Sequence, residues 1–300
     1  MTDFRNTMAA ALGISGLALV GATAAQAVEN GTLQYPAGSS GFTSAALPPM
    51  PGFYFLSQTS FSSADRLNDA HGDKLPIPFK LGAAAQTLRG LYVSNQQVLG
   101  GQVWGQVVLP LVNLDLTTPA GKGSDFSLAD VTGTVGLVWH LSRSSTVAAG
   151  LDVVFPTGSY SASRIANVGQ NHGSLQPTVA YHYTAPSGWE FAASLRAIFN
   201  DRNDATDYKS GDVIVADYAV GYKVGDFCYG VSGYYLKQIS DDTGPTAPPG
   251  GNRAEGFGIG PSISYVPNPA TMITLSLQND LVARNLPQGT TLQLAATLHF

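Results

Sequence analysis

The chain has 300 residues, of which only 12% are charged, 34 are glycine and one is cysteine, and its formal net charge is −5 at pH 7. That balance gives no electrostatic reason to expect nucleic acid as a partner, and a lone Cys228 excludes an intrachain disulfide framework. Beyond the N-terminal segment no run reaches the roughly 18 consecutive apolar residues of a transmembrane helix, so a helical membrane protein is excluded too.

The chain opens MTDFRNTMAAALGISGLALVGATAAQA, with one Arg ahead of an apolar run from Met8 to about Thr23 and the small-x-small triplet Ala25-Gln26-Ala27. This is the pattern of a secretory signal peptide, residues 1–27, cleaved after Ala27. A membrane anchor would need a longer and less glycine-rich run. Residues 28–51 follow, rich in Gly, Pro and Ser, and from residue 52 onward the sequence changes character.

No long segment shows the 3.6-residue apolar period of an amphipathic helix; period two recurs instead. In DVTGTVGLVWHL, Val131, Val135, Leu137, Trp139 and Leu141 alternate with Asp130, Thr132, Thr134 and His140. Similar alternation predicts about twelve strands, at 52–62, 81–93, 102–114, 128–141, 146–155, 174–183, 189–199, 213–224, 227–238, 256–265, 271–281 and 291–300. Strands 81–93 and 227–238 do not declare which face is apolar. The links after even-numbered strands are short, as at Ser142–Ser145 and Gly225–Asp226, and those after odd-numbered strands are expected to be long and polar, as in PTGSYSASRIANVGQNHG. Short turns at one rim, long loops at the other and an even strand count predict an all-β fold, a transmembrane antiparallel up-and-down β-barrel of the outer-membrane type over 52–300.

Aromatic residues sort the same way. Trp139, Tyr183, Trp189, Tyr222, Phe227, Tyr265 and Phe300 fall near the short-turn rim, and Phe155, Phe199, Tyr235 and Phe257 near the other, as two interfacial girdles would require. The final strand, TTLQLAATLHF, turns Leu292, Leu294, Ala296, Leu298 and Phe300 to one side, which in a closed barrel faces lipid.

Alternation places Asp130, Asp152, Glu190, Arg196, Asp217 and Lys223 on the other face, as candidate pore-lining residues. Twelve strands lie between small filled barrels and wide porins, so a narrow or gated pore is expected. Residues 28–51 would be either a mobile periplasmic tail or a lumen plug, and Phe42, Ala45, Ala46, Leu47 and Met50 favour the ordered alternative. Two other classes stay in view. One is a structural or adhesin-like barrel acting through its long loops. The other is a lipid-modifying enzyme, for which His71 and His172 sit near Ser and Asp but no G-x-S-x-G elbow appears. DAHGD (69–73) lacks the ligand spacing of a calcium loop, so no metal and no cofactor is expected.

The stretches VENGTLQYPAGSSGFTSAALPPMPGFYFLSQTSFSSADRLNDAHGDK (28–74), VLGGQVWGQVVLPLV (98–112), FPTGSY (155–160) and GYYLKQISDD (233–242) together resemble the outer-membrane family known as MetA-pathway of phenol degradation proteins. The resemblance implies a barrel in the outer membrane of a Gram-negative bacterium, associated with uptake of aromatic or other hydrophobic compounds, and carries over no site residues. The expected partners are outer-membrane lipid and lipopolysaccharide, small-molecule solutes, and the β-barrel assembly machinery, which would read Phe300. A monomer is the default expectation.

Overall fold

The computed structural model describes residues 29–31, 33–248, 250, 252–268 and 271–299, with the side chains of Asn30 and His299 excepted. The expected signal peptide and Phe300 lie outside the described residues. After two 3-10 turns, Glu29–Gly31 and Gly41–Thr43, the chain forms β1 (Gly52–Leu67), β2 (Lys80–Val98), β3 (Gly101–Thr118), β4 (Gly121–Leu128), β5 (Val131–His140), β6 (Ser145–Phe155), β7 (Ser174–Thr184) and β8 (Trp189–Asn200). A small hairpin of β9 (Arg202–Asn203) and β10 (Tyr208–Lys209) follows. Then come β11 (Val213–Val224), β12 (Phe227–Gln238), β13 (Glu255–Asn268), β14 (Thr271–Arg284) and β15 (Pro287–His299).

Each barrel strand pairs antiparallel with its sequence neighbours, and β1 pairs with both β2 and β15. That last pairing, with Ser62 opposite Thr291 and Thr59 opposite Leu294, closes a twelve-stranded barrel in which no strand edge is left open to lipid. β4 stands outside the count. It continues the line of β5 and pairs with the upper half of β3, while β5 pairs with the lower half. The break falls at Ala129–Asp130, where Asp130 turns inward and accepts hydrogen bonds from the amides of Gly158 and Gln170.

All twelve predicted strands are present, but two links differ from expectation. The links after the predicted strands at 102–114 and 271–281 were expected to be long; they are the tight turns Pro119–Ala120 and Asn285–Leu286. There β3, β4, β14 and β15 extend beyond the apolar band, where polar residues such as those of GKGSDFSL pair without needing an apolar face.

Polarity is inverted relative to a water-soluble sandwich. Gln176, Gln238, Ser264 and Gln278 are buried, while Val135 is 60% exposed and Leu195 49%. An outer apolar surface around a polar interior is what a bilayer requires of a barrel. At the short-turn rim Trp189 meets Tyr222 edge-on with ring centroids 5.4 Å apart, and Phe227 stacks on Tyr265 at 4.6 Å. Phe155, Phe199 and Tyr235 are exposed toward the other rim. Leu195→Arg puts a charge near mid-height of this outer surface, opposite Val179 and Ala216. It should cost about 2–4 kcal/mol of barrel stability in a bilayer, read out as a shifted midpoint in urea titrations in phospholipid vesicles.

The interior is occupied by the N-terminal segment. Glu29 is tied to the long-loop rim, where its carboxylate accepts hydrogen bonds from Asn203 (2.8 Å) and Thr206 (2.7 Å). The chain then descends. Tyr35 packs on Ile198, Val213, Val215 and Leu236, and Phe42, fully buried, packs on Ala192, Ala219 and Cys228. Ala45 and Leu47 lie against Val138 and Ala148. At the short-turn rim Tyr54 donates to the carbonyl of Met50 at 2.7 Å as the chain enters β1. Gly221 makes this route possible, because a Cβ there would lie 2.8 Å from the Phe42 ring and 2.6 Å from the Cys228 Sγ.

Candidate functional site: the barrel lumen

Two cavities lie beside the N-terminal segment. The upper, about 460 Å³, lies toward the long loops, walled by small and apolar side chains such as Leu81, Ala85, Val108, Val112 and Leu114. The lower, about 480 Å³, lies toward the short turns and includes Tyr54, Leu91, His182, Glu190 and Lys223 in its wall. Ser40, Arg89, Gln106, Asp152 and Arg196 border both, so these residues form the partition between them.

The partition is built by facing strands. Asp152 on β6 forms an ion pair with Arg196 on β8 and accepts a hydrogen bond from Thr134 on β5 at 2.6 Å. Arg196 also donates to Gln176 at 2.9 Å, and its guanidinium lies 4.2 Å from the centre of the Tyr35 ring. The pair thus ties four strands, β5 to β8, to the N-terminal segment. On the opposite wall Arg89 of β2 donates to Gln58 of β1 at 3.4 Å, and Gln58 donates in turn to the carbonyl of Ser39 at 3.4 Å.

The remaining sequence-predicted residues take different places. Asp130 borders the upper cavity; Glu190 and Lys223 border the lower. Glu190 is 3.1 Å from His182 Nε2, and His182 Nδ1 is 3.2 Å from the carbonyl of Ser44. Asp217 borders neither cavity. It lies beneath the N-terminal segment and accepts hydrogen bonds from the Tyr35 hydroxyl (2.5 Å) and from the amides of Gly38 (2.8 Å) and Ser40 (3.0 Å). Arg89 and Tyr35 were not singled out from sequence. A lone charge within the otherwise small and apolar AAAQTLRGLYV was the available signal for Arg89, obscured because strand 81–93 did not declare its faces.

Loop 156–173 folds over the upper cavity. Asn167, Val168 and Gln170 line that cavity, and the amide of Val168 donates to Asp125 of β4 at 3.0 Å, covering the unpaired edge of β4. In the DAHGD loop Asp69 accepts the amides of His71 (2.8 Å) and Asp73 (3.0 Å), and these bonds hold its carboxyl below the usual carboxylate range. The loop therefore organises its own backbone, and among the described residues no group of three His, Cys, Asp or Glu is placed to hold a metal ion.

A family model described as "Putative MetA-pathway of phenol degradation" matches residues 64–296. The chain belongs to this family. None of the curated proteins matches the chain in sequence. Among solved structures the family member is similar to the COG4313 outer membrane channel from Pseudomonas putida F1, at 20% identity and a TM-score of 0.75, over 85% of this chain and 97% of that one. It is also similar to the β domain of the Bordetella autotransporter Brka (10% identity, TM-score 0.52, 84% and 100% covered). A TodX deltaS2S3 mutant monoaromatic hydrocarbon channel follows (12% identity, TM-score 0.50, 87% and 94% covered). At these identities the shared property is the outer-membrane β-barrel fold.

Proposed function

We propose that the protein is an outer-membrane channel for passive uptake of small hydrophobic compounds, aromatic ones included. The observation that carries this reading is the lumen itself. Two cavities lie in sequence between the rims, with the side chains that border both, Arg89, Gln106, Asp152 and Arg196, and Ser40 of the N-terminal segment between them. The apolar walls of the upper cavity suit a hydrophobic solute. The names of the COG4313 and TodX channels support the same class of activity. Transport is by diffusion, without chemistry on the solute, and residues 28–51 act as the plug. Export through a signal peptide cleaved after Ala27, and delivery to the assembly machinery through Phe300, complete the proposal.

The test is unitary conductance in planar bilayers for the chain from residue 28, and for the same chain lacking 28–51. Steps from the intact protein, or steps that appear only on deletion, support a pore, the second outcome identifying the segment as its plug. Silence from both, with folding shown by heat-modifiable gel mobility, would sink the water-filled pore.

A further inference from the structure

The carboxylates around the lumen already have donors. Asp130 accepts two amides, from Gly158 and Gln170. Asp152 is engaged by Arg196 and Thr134, Glu190 faces His182, and Asp217 is held by Tyr35, Gly38 and Ser40. Arg196 shares in this pairing, but two other cations do not. Among the described residues, neither Arg89 nor Lys223 has a carboxylate within ion-pair distance, although both border the lower cavity. Arg89 is the more exceptional. Its Nε is buried without a hydrogen-bond partner, and the guanidinium's bond to Gln58 is long at 3.4 Å.

A guanidinium that faces a cavity, with its Nε buried and donors left unused by the protein, is completed by an anion, and its planar fork fits a carboxylate in bidentate fashion. Arg89 also borders the upper cavity, where Leu81, Ala83, Ala85, Val108, Val112 and Leu114 present an apolar wall. We infer that this site binds amphipathic carboxylates, with the carboxylate on Arg89 and the apolar body in the upper cavity. A neutral hydrocarbon satisfies the wall but leaves Arg89 incomplete, and a small hydrophilic anion does the reverse. The cavity of about 460 Å³ has the size of a site for a substituted aromatic ring or a short alkyl chain. Lys223, at the lower cavity, is the next cation toward the short-turn rim. The inference rests on the channel reading for how the solute arrives, and on Arg89 and the cavity wall for how it is held.

The experiment is calorimetric titration of the chain from residue 28, in lipid nanodiscs at neutral pH, with 4-propylbenzoate and with 4-propylbenzyl alcohol. The acid should bind at least about ten-fold more tightly than the alcohol. Arg89→Gln should remove that advantage and leave alcohol binding unchanged, and Arg89→Lys should retain part of it. Equal affinity of acid and alcohol for the unmodified chain would overturn the inference, whether or not the variants fold, as would undiminished acid binding by folded Arg89→Gln. Conductance is measured separately, so a silent bilayer with intact acid preference counts against the pore alone.

Discussion

Asp217→Ala should free the N-terminal segment from the lumen while leaving the twelve-stranded barrel intact. The Asp217 carboxylate is the common acceptor for Tyr35, Gly38 and Ser40, all on that segment, and among the described residues it makes no ion pair. Hydrogen bonds to a charged acceptor contribute roughly 1.5–3 kcal/mol each, and buried donors left unsatisfied add a penalty. Because such effects do not add, the expected loss in docking free energy is about 3–5 kcal/mol. Asp217→Asn keeps one acceptor oxygen and should fall between. Chymotrypsin is the readout, since Phe42 offers it a bond within the segment, that after Tyr35 being closed by Pro36, whereas trypsin finds no Lys or Arg between residues 29 and 65. Rapid cleavage after Phe42 in the variant, with the barrel still heat-modifiable, is the expected result. Cleavage as slow as in the unmodified chain would show that Asp217 is not the catch.

Phe42→Ala tests the same docking through apolar packing. The ring is fully buried in a hollow formed by Ala192, Ala219 and Cys228, with room supplied by Gly221. Truncating a buried Phe costs about 3–5 kcal/mol through lost transfer energy and the cavity left behind. Hydrogen exchange at the amides of Thr43, Ser44 and Ala46, which close the turn around Phe42, should accelerate by the corresponding factor. Unlike the Asp217 variant, this one should respond little to ionic strength. Unchanged protection at those amides would mean that the polar contacts alone hold the segment.

The barrel was legible because a bilayer imposes strict alternation on every strand that crosses it. Val135, Leu151 and Leu195 had to point outward, and Asp130, Asp152 and Glu190 had to point inward. Where lipid makes no demand, the pattern faded. The pairing of β4 with β3 above the apolar band reads in the sequence as a long loop, as does the turn at Asn285–Leu286. Ala83, Ala84 and Ala85 left β2 without a declared face, and Arg89 went unnoticed with it. The course of residues 33–50 has no period to read. Its trace lay elsewhere, in Val213, Val215 and Ala219, which occupy the same face of β11 as Asp217 and are apolar where a water-filled lumen would favour polar groups. The sequence carried that anomaly, but only the docked Tyr35 and Phe42 explain it.

The pairing of β1 with β15 also dictates an order of events. The first and last strands are the two sides of one seam, and Gly38 bonds to Gln278 across 240 positions of chain. Until the final strand has been made and zipped, nothing encloses the segment; afterwards, one end is held at the long-loop rim and the other runs directly into a wall strand. Entry would then require threading the segment into an already closed barrel. The expected order is therefore that the segment is enclosed as the wall shuts around it, and does not enter afterwards.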